Sequence, residues 1–392
     1  MTKSFLRGMS RATDLTRSGN LAEATALIQS LLNAGPAPQT EDTTPRLADD
    51  TLIEGTCTPV EATDGKASPK PKAQSAPRSS LRETLRNIAA GGMPQAGMPM
   101  PGQHKSPAPL PEGAQWLSLT HQGPQGSRDY RLYIPGGTAQ AAMPLVVMLH
   151  GCTQSPEDFA TGTDMNTLAE EFGFLVAWPA QPQGANAQKC WNWFRPEDQA
   201  RDRGEPAVIA GIIRDILRDH PADAGRVYVA GLSAGGAAAA IMGAAYPDLI
   251  AAIGVHSGLP VGGAQDVMSA FSAMRSGATG NAGARTVPAI VFHGLADSTV
   301  HPGNGTAVIA QAVQAHTGLQ RVKASGKARA GRSYHLTRHD DAQGRSIAEH
   351  WEIDGAGHAW SGGKAGGSYT DPQGPDASRE MLRFFAQHRR AG

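Results

Sequence analysis

The segment Gly231-Leu-Ser-Ala-Gly235 sets one serine between two glycines, after the apolar run Val227-Tyr-Val-Ala and before an alanine-rich stretch. In a chain with 47 glycines, a Gly-x-Ser-x-Gly match carries little weight by itself. Its context carries more. A strand, a sharp turn and a helix would hold the Ser233 hydroxyl in a strained, exposed position near the positive end of the helix dipole, with room only for glycine two residues to either side. Such a hydroxyl is a weak nucleophile until a base takes its proton and an acid fixes that base's tautomer. Asp297 lies just past the apolar run Ala289-Ile-Val-Phe, where the acid is expected. Of the seven histidines beyond it, His358 alone follows a strand in a glycine-bracketed loop, Asp354-Gly-Ala-Gly-His-Ala-Trp360-Ser-Gly-Gly363. The chemistry is acyl transfer, which also needs two N–H donors for the developing oxyanion. Ala234, after the serine, supplies one. Cys152, in His150-Gly-Cys-Thr-Gln154 after the apolar run Leu145 to Leu149, supplies the other, with His150 read as structural.

These residues need a scaffold that brings distant strand ends to one edge. From Trp116 onward, β-rich apolar runs alternate with helical patterns, which predicts an α/β fold with a mostly parallel central sheet covered by helices on both faces. Strands are expected at 129–134, 145–149, 174–178, 227–230, 252–256, 289–293 and 349–353. Helices are expected at 156–172, 206–219, 234–246, 304–315 and 376–389. A catalytic domain is therefore assigned to 113–392. Ahead of it, 35–112 is rich in Pro, Ala, Ser and Met and reads as a disordered linker, while 1–34 reads as a helical hairpin.

Aromatic residues make up only 5% of the chain, yet Trp191, Trp193 and Phe194 fall within four positions, so the segment is either a pocket wall or core. Trp360, two residues past His358, is expected at the substrate pocket. Cys152 and Cys190 are either bridged, bracing two loops, or two buried thiols. With three cysteines, a multi-cysteine zinc site is excluded, and the acyl chemistry calls for no metal and no organic cofactor. Lys plus Arg and Asp plus Glu are both 35, so no global field favours nucleic acid. No apolar run approaches the roughly 18 residues of a membrane span, and the first residues lack the apolar stretch of an export signal. Oligomeric state is not readable.

With these residues in place, the region from about Trp116 to Phe385 resembles the polyhydroxybutyrate (PHB) depolymerase family of esterases, related to feruloyl and acetyl-xylan esterases. The resemblance rests on Leu149-His-Gly-Cys-Thr-Gln154, Cys190-Trp-Asn-Trp-Phe194, Arg226-Val-Tyr-Val-Ala-Gly-Leu-Ser-Ala-Gly-Gly236, Tyr246-Pro-Asp, Val255-His-Ser-Gly-Leu259, His293-Gly-Leu-Ala-Asp297 and Gly357-His-Ala-Trp-Ser-Gly-Gly363. It implies an α/β-hydrolase fold, Ser233 as nucleophile, Asp297 as acid, His358 as base, and Cys152 with Ala234 as oxyanion donors. It also implies an ester substrate, foremost a 3-hydroxyalkanoate oligomer or polymer, and an extracellular location that the first residues do not support. Members often carry an export signal and a C-terminal polymer-binding domain. Neither is visible here, so short oligomers, amorphous polymer or small acyl esters are expected ahead of crystalline polyester. The alternatives are a feruloyl or acetyl-xylan esterase and an inert protein that binds the surface of polyester granules.

Overall fold

The computed structural model describes residues 110–137, 142–280, 283, 286–329 and 331–390. The hairpin expected over 1–34, and the linker over 35–112 except for its last three residues, lie outside this set. Among the described residues, strands β1 (Gln115–Gly123), β2 (Gly126–Ile134), β3 (Met143–Leu149), β4 (Leu175–Pro179), β5 (Ala222–Leu232), β6 (Ala252–His256), β7 (Ala289–Gly294), β8 (Gln320–Lys327), β9 (Ser333–Asp340) and β10 (Ser346–Ile353) form one sheet. Its order is β1-β2-β4-β3-β5-β6-β7-β10-β9-β8. The inner six strands, β4 to β10 in that order, run parallel. An antiparallel pair closes each flank.

Successive side chains of a strand point to opposite faces, and here both faces are covered, so the central strands are apolar throughout. Leu145, Val147 and Leu149 of β3 join Val227 and Val229 of β5 in one core. Val146 and Met148 join Tyr228, Ala230 and Leu232 in the other. Among the described residues, seven α-helices cover these faces: α1 (Pro156–Thr163), α2 (Met165–Phe172), α3 (Gly204–Asp219), α4 (Ala234–Ala245), α5 (Val267–Ser276), α6 (Gly303–Val313) and α7 (Ala377–Phe385). The first core is closed by α3, α4, α5 and α6, the second by α1, α2 and α7. Ala377, Met381, Phe384 and Phe385 recur at helical spacing on α7, and all are buried.

The single helix expected over 156–172 is two. Asp164 takes the left-handed conformation, φ 56°, ending α1 and starting α2. Unforeseen are β1, β8, β9, α5 and a short pair, β11 (Trp360–Ser361) with β12 (Thr370–Asp371). β8 is the last strand of the sheet. It is exposed along almost its whole length and carries Arg321, Lys323 and Lys327 at alternate positions. The described residues form an α/β-hydrolase fold.

Candidate active site

β5 ends at Leu232 and α4 begins at Ala234, so Ser233 alone makes the turn. Its backbone sits at φ 58° and ψ −119°, a conformation that costs a residue other than glycine about 1–3 kcal/mol. Surrounding backbone enforces it. A Cβ on Gly235 would stand 2.0 Å from the Leu149 carbonyl oxygen, and one on Gly231 would stand 2.4 Å from the Gly235 carbonyl carbon. The Ser233 N–H donates to the His256 carbonyl at 2.9 Å. Ala234 opens α4, so its N–H is one of the first-turn donors that have no acceptor within the helix, at the positive end of the dipole.

Asp297 and His358 follow β7 and β10, neighbouring parallel strands, so their loops leave the same edge of the sheet. The loops are zipped backbone to backbone: Leu295 N–H donates to the Ile353 carbonyl and Ala296 N–H to the Ala356 carbonyl, both at 2.9 Å. Gly294 permits this, since a Cβ there would lie 2.3 Å from the Ala356 oxygen. As a result His358 Nδ1 donates to Asp297 Oδ2 at 2.7 Å. Asp297 Oδ1 accepts from the N–H groups of Thr299 and Val300, each at 2.9 Å. Burial alone would raise this carboxyl, but the His358 hydrogen bond and charge, with the Val300 N–H, outweigh it and hold the group below its ordinary range. An ionised, oriented Asp297 keeps the His358 proton on Nδ1 and leaves Nε2 as the basic atom.

The loop after β3 carries Cys152. Hydrogen bonds occupy the N–H groups on either side of it: Gly151 donates to Gln154 Oε1 at 2.9 Å and Thr153 to the Gln188 carbonyl at 2.7 Å. Cys152 and Cys190 are joined by a disulfide, with Cα atoms 4.2 Å apart. His150 is buried. Its Nδ1 donates to the Gly151 carbonyl at 2.7 Å, and its Nε2 accepts from the Gln181 N–H at 3.1 Å. Burial lowers its pKa to about 4, which keeps it neutral in a structural place.

Burial decides the open reading of Trp191 and Trp193 for core and corrects the expectation for Trp360. Trp191, Trp193 and Trp360 are 0%, 6% and 1% exposed, so all three belong to the interior and not to an open pocket wall. Trp360 meets Phe159 edge to face at 5.4 Å, stacks on His256 at 5.1 Å and donates from Nε1 to Ser378 Oγ at 3.0 Å. Trp191 Nε1 donates to the His150 carbonyl at 3.1 Å. Apolar area packed on every side is more stable than area left at an open rim.

One residue escaped the sequence reading. His256, at the end of β6, accepts the Ser233 N–H on its carbonyl and the Ser361 N–H on its Nε2 at 2.9 Å. It therefore ties the serine turn to the segment that follows His358. Burial, then the neighbouring imidazoles of His293 and His358, lower its pKa to about 3. The segment Val255-His-Ser-Gly-Leu259 was the available signal, a polar pair where a buried strand ends.

A family model described as esterase PHB depolymerase matches residues 128–339. The chain is 33% identical over 242 residues to poly(3-hydroxyalkanoate) depolymerase C of Paucimonas lemoignei, covering 58% of this chain and 57% of that one. It is 31% identical over 179 residues to feruloyl esterase B of Thermothelomyces thermophilus, covering 41% and 60%. It is 30% identical over 163 residues to a probable acetylxylan esterase A of Aspergillus fumigatus, covering 41% and 43%. The chain thus spans about half the length of these curated relatives, 43% to 60%. The solved structure of an acetyl xylan esterase from Aspergillus awamori shares the fold, with a TM-score of 0.54 at 20% identity over 70% of this chain and 99% of that one.

Proposed function

Given that the chain belongs to the esterase PHB depolymerase family, we propose that it is a serine esterase that hydrolyses carboxylic esters through an acyl-Ser233 intermediate. The observation that carries this reading is the 2.7 Å hydrogen bond from His358 Nδ1 to a buried Asp297, formed at the sheet edge where β5 delivers Ser233. His358 Nε2 takes the Ser233 proton as Oγ attacks the acyl carbon. The N–H groups of Cys152 and Ala234 receive the oxyanion. His358 then returns the proton to the leaving alcohol, and in the second half it deprotonates the water that releases the acid. These steps use no metal and no organic cofactor.

The substrate class we assign is a 3-hydroxyalkanoate ester, as short oligomer or polymer, on the strength of the depolymerase relative. The acetylxylan and feruloyl relatives support the second reading, an esterase of sugar-linked acyl groups. A panel with purified protein separates the two: release of 3-hydroxybutyrate from its oligomers against release of acetate or ferulate from xylan fragments. Ser233→Ala is the control, and it is expected to remove turnover of a chromogenic short-chain ester. Turnover by that variant at the parent's rate overturns the reading.

A further inference from the structure

Glu205 lies in the first turn of α3, outside the proposed catalytic residues, and it is buried. Its Oε1 accepts from Gln181 Nε2, and from Asn192 Nδ2 at 2.7 Å. Its Oε2 accepts from the Asn192 N–H at 2.7 Å. Among the described residues, no lysine or arginine pairs with it directly. Arg128 reaches it through Gln181, donating to Gln181 Oε1 at 2.7 Å. Evicting a carboxylate from water for three neutral donors is costly unless all three stay in place.

The donors Glu205 gathers belong to the segment that braces Cys152. Gln181 Nε2 also donates to the Cys190 carbonyl at 2.9 Å, and the Gln181 N–H reaches His150 Nε2 at 3.1 Å. Asn192 stands two residues past Cys190, whose sulfur is bonded to that of Cys152. Two routes therefore run from Glu205 to the loop that carries the Cys152 N–H: Gln181 to His150 to Gly151, and Asn192 to Cys190 to the bridge.

We propose that Glu205 is a positioning residue of the oxyanion hole: it pins Gln181 and Asn192, and through them holds the Cys152 N–H on the acyl oxygen. This rests on the esterase reading above. All three of its partners donate, so only a group that accepts at both oxygens fits. The amide of Glu205→Gln turns an N–H against an N–H whichever way it lies.

The test compares parent and Glu205→Gln protein, each normalised to the sites labelled by a fluorophosphonate. On a chromogenic short-chain ester, kcat per labelled site is expected to fall about tenfold or more with KM within about twofold. Affinity for an alkyl trifluoromethyl ketone, whose adduct with Ser233 places an oxyanion in the hole, is expected to fall in step with kcat/KM. A purely structural role lowers the labelled fraction and the melting temperature while leaving kcat per site and ketone affinity unchanged, and that result overturns the proposal. If Glu205→Gln does not fold, Gln181→Met carries the same test, because it cuts the link to the Cys190 carbonyl and keeps the carboxylate. If the parent itself hydrolyses no ester, the esterase reading fails first.

Discussion

Asp297 Oδ2 lies 2.7 Å from His358 Nδ1 and 3.6 Å from His293 Nε2, but His293 spends its Nε2 proton on the Val300 carbonyl at 2.9 Å. The carboxylate therefore serves one imidazole. Asp297→Asn keeps the shape of the loop and loses control of the His358 tautomer. Its kcat on a chromogenic ester is expected to drop by about 10⁴ while circular dichroism is unchanged, and activity within tenfold of the parent contradicts the assignment. Trp360 makes the opposite case. With its ring against Phe159 and His256, Trp360→Ala leaves an interior void and is expected to cost about 3–5 kcal/mol in denaturant melts, where a pocket wall would change KM at constant stability. The sequence sets Trp360 two positions past His358. It could not tell which side of the loop the ring takes, because buried and pocket-lining tryptophans share one composition.

At the scale of elements, the turn at Ser233 and the loop that carries Asp297 were legible because strand, glycine and polar residue follow one another within a few positions. β8 and β9 were not, since Gln320-Arg-Val-Lys-Ala-Ser-Gly-Lys327 is polar or small at nearly every place and offers no apolar alternation. The break between α1 and α2 was hidden because only one backbone angle pair, at Asp164, departs from a helical pattern. Sheet order was also out of reach, for it depends on pairings between strands far apart in the chain. The bridge between Cys152 and Cys190 spans a separation of 38 residues, and the loop it closes would contribute about 4 kcal/mol through the unfolded chain. Cys190→Ser is therefore expected to lower the melting temperature and, by freeing the Cys152 loop, to lower kcat more than it raises KM. Equal melting temperatures with and without the bridge would contradict this.

Across the molecule, several histidines are buried without charge. Burial lowers His150, His350 and His388 to about 4 and His256 to about 3, whereas in an unfolded chain each titrates near 6.5. Between about pH 6.5 and 4 the unfolded state holds more protons, so stability rises with pH and is lost as pH falls through this window. Asp198 and Glu205, raised mainly by burial, act in the opposite sense and soften the slope. The melting temperature is expected to fall steadily from pH 7 to pH 4.5, and a value at pH 4.5 equal to or above that at pH 7 refutes the account.

The polar character that concealed β8 in the sequence also governs how the molecule meets its own copies. An open strand end-on to solvent invites another chain to extend the ladder and seed a fibre. Here any copy aligning its own last strand alongside must bring Arg321, Lys323 and Lys327 against the same three cations. Lateral growth is thereby repelled at the flank where, among the described residues, the sheet ends.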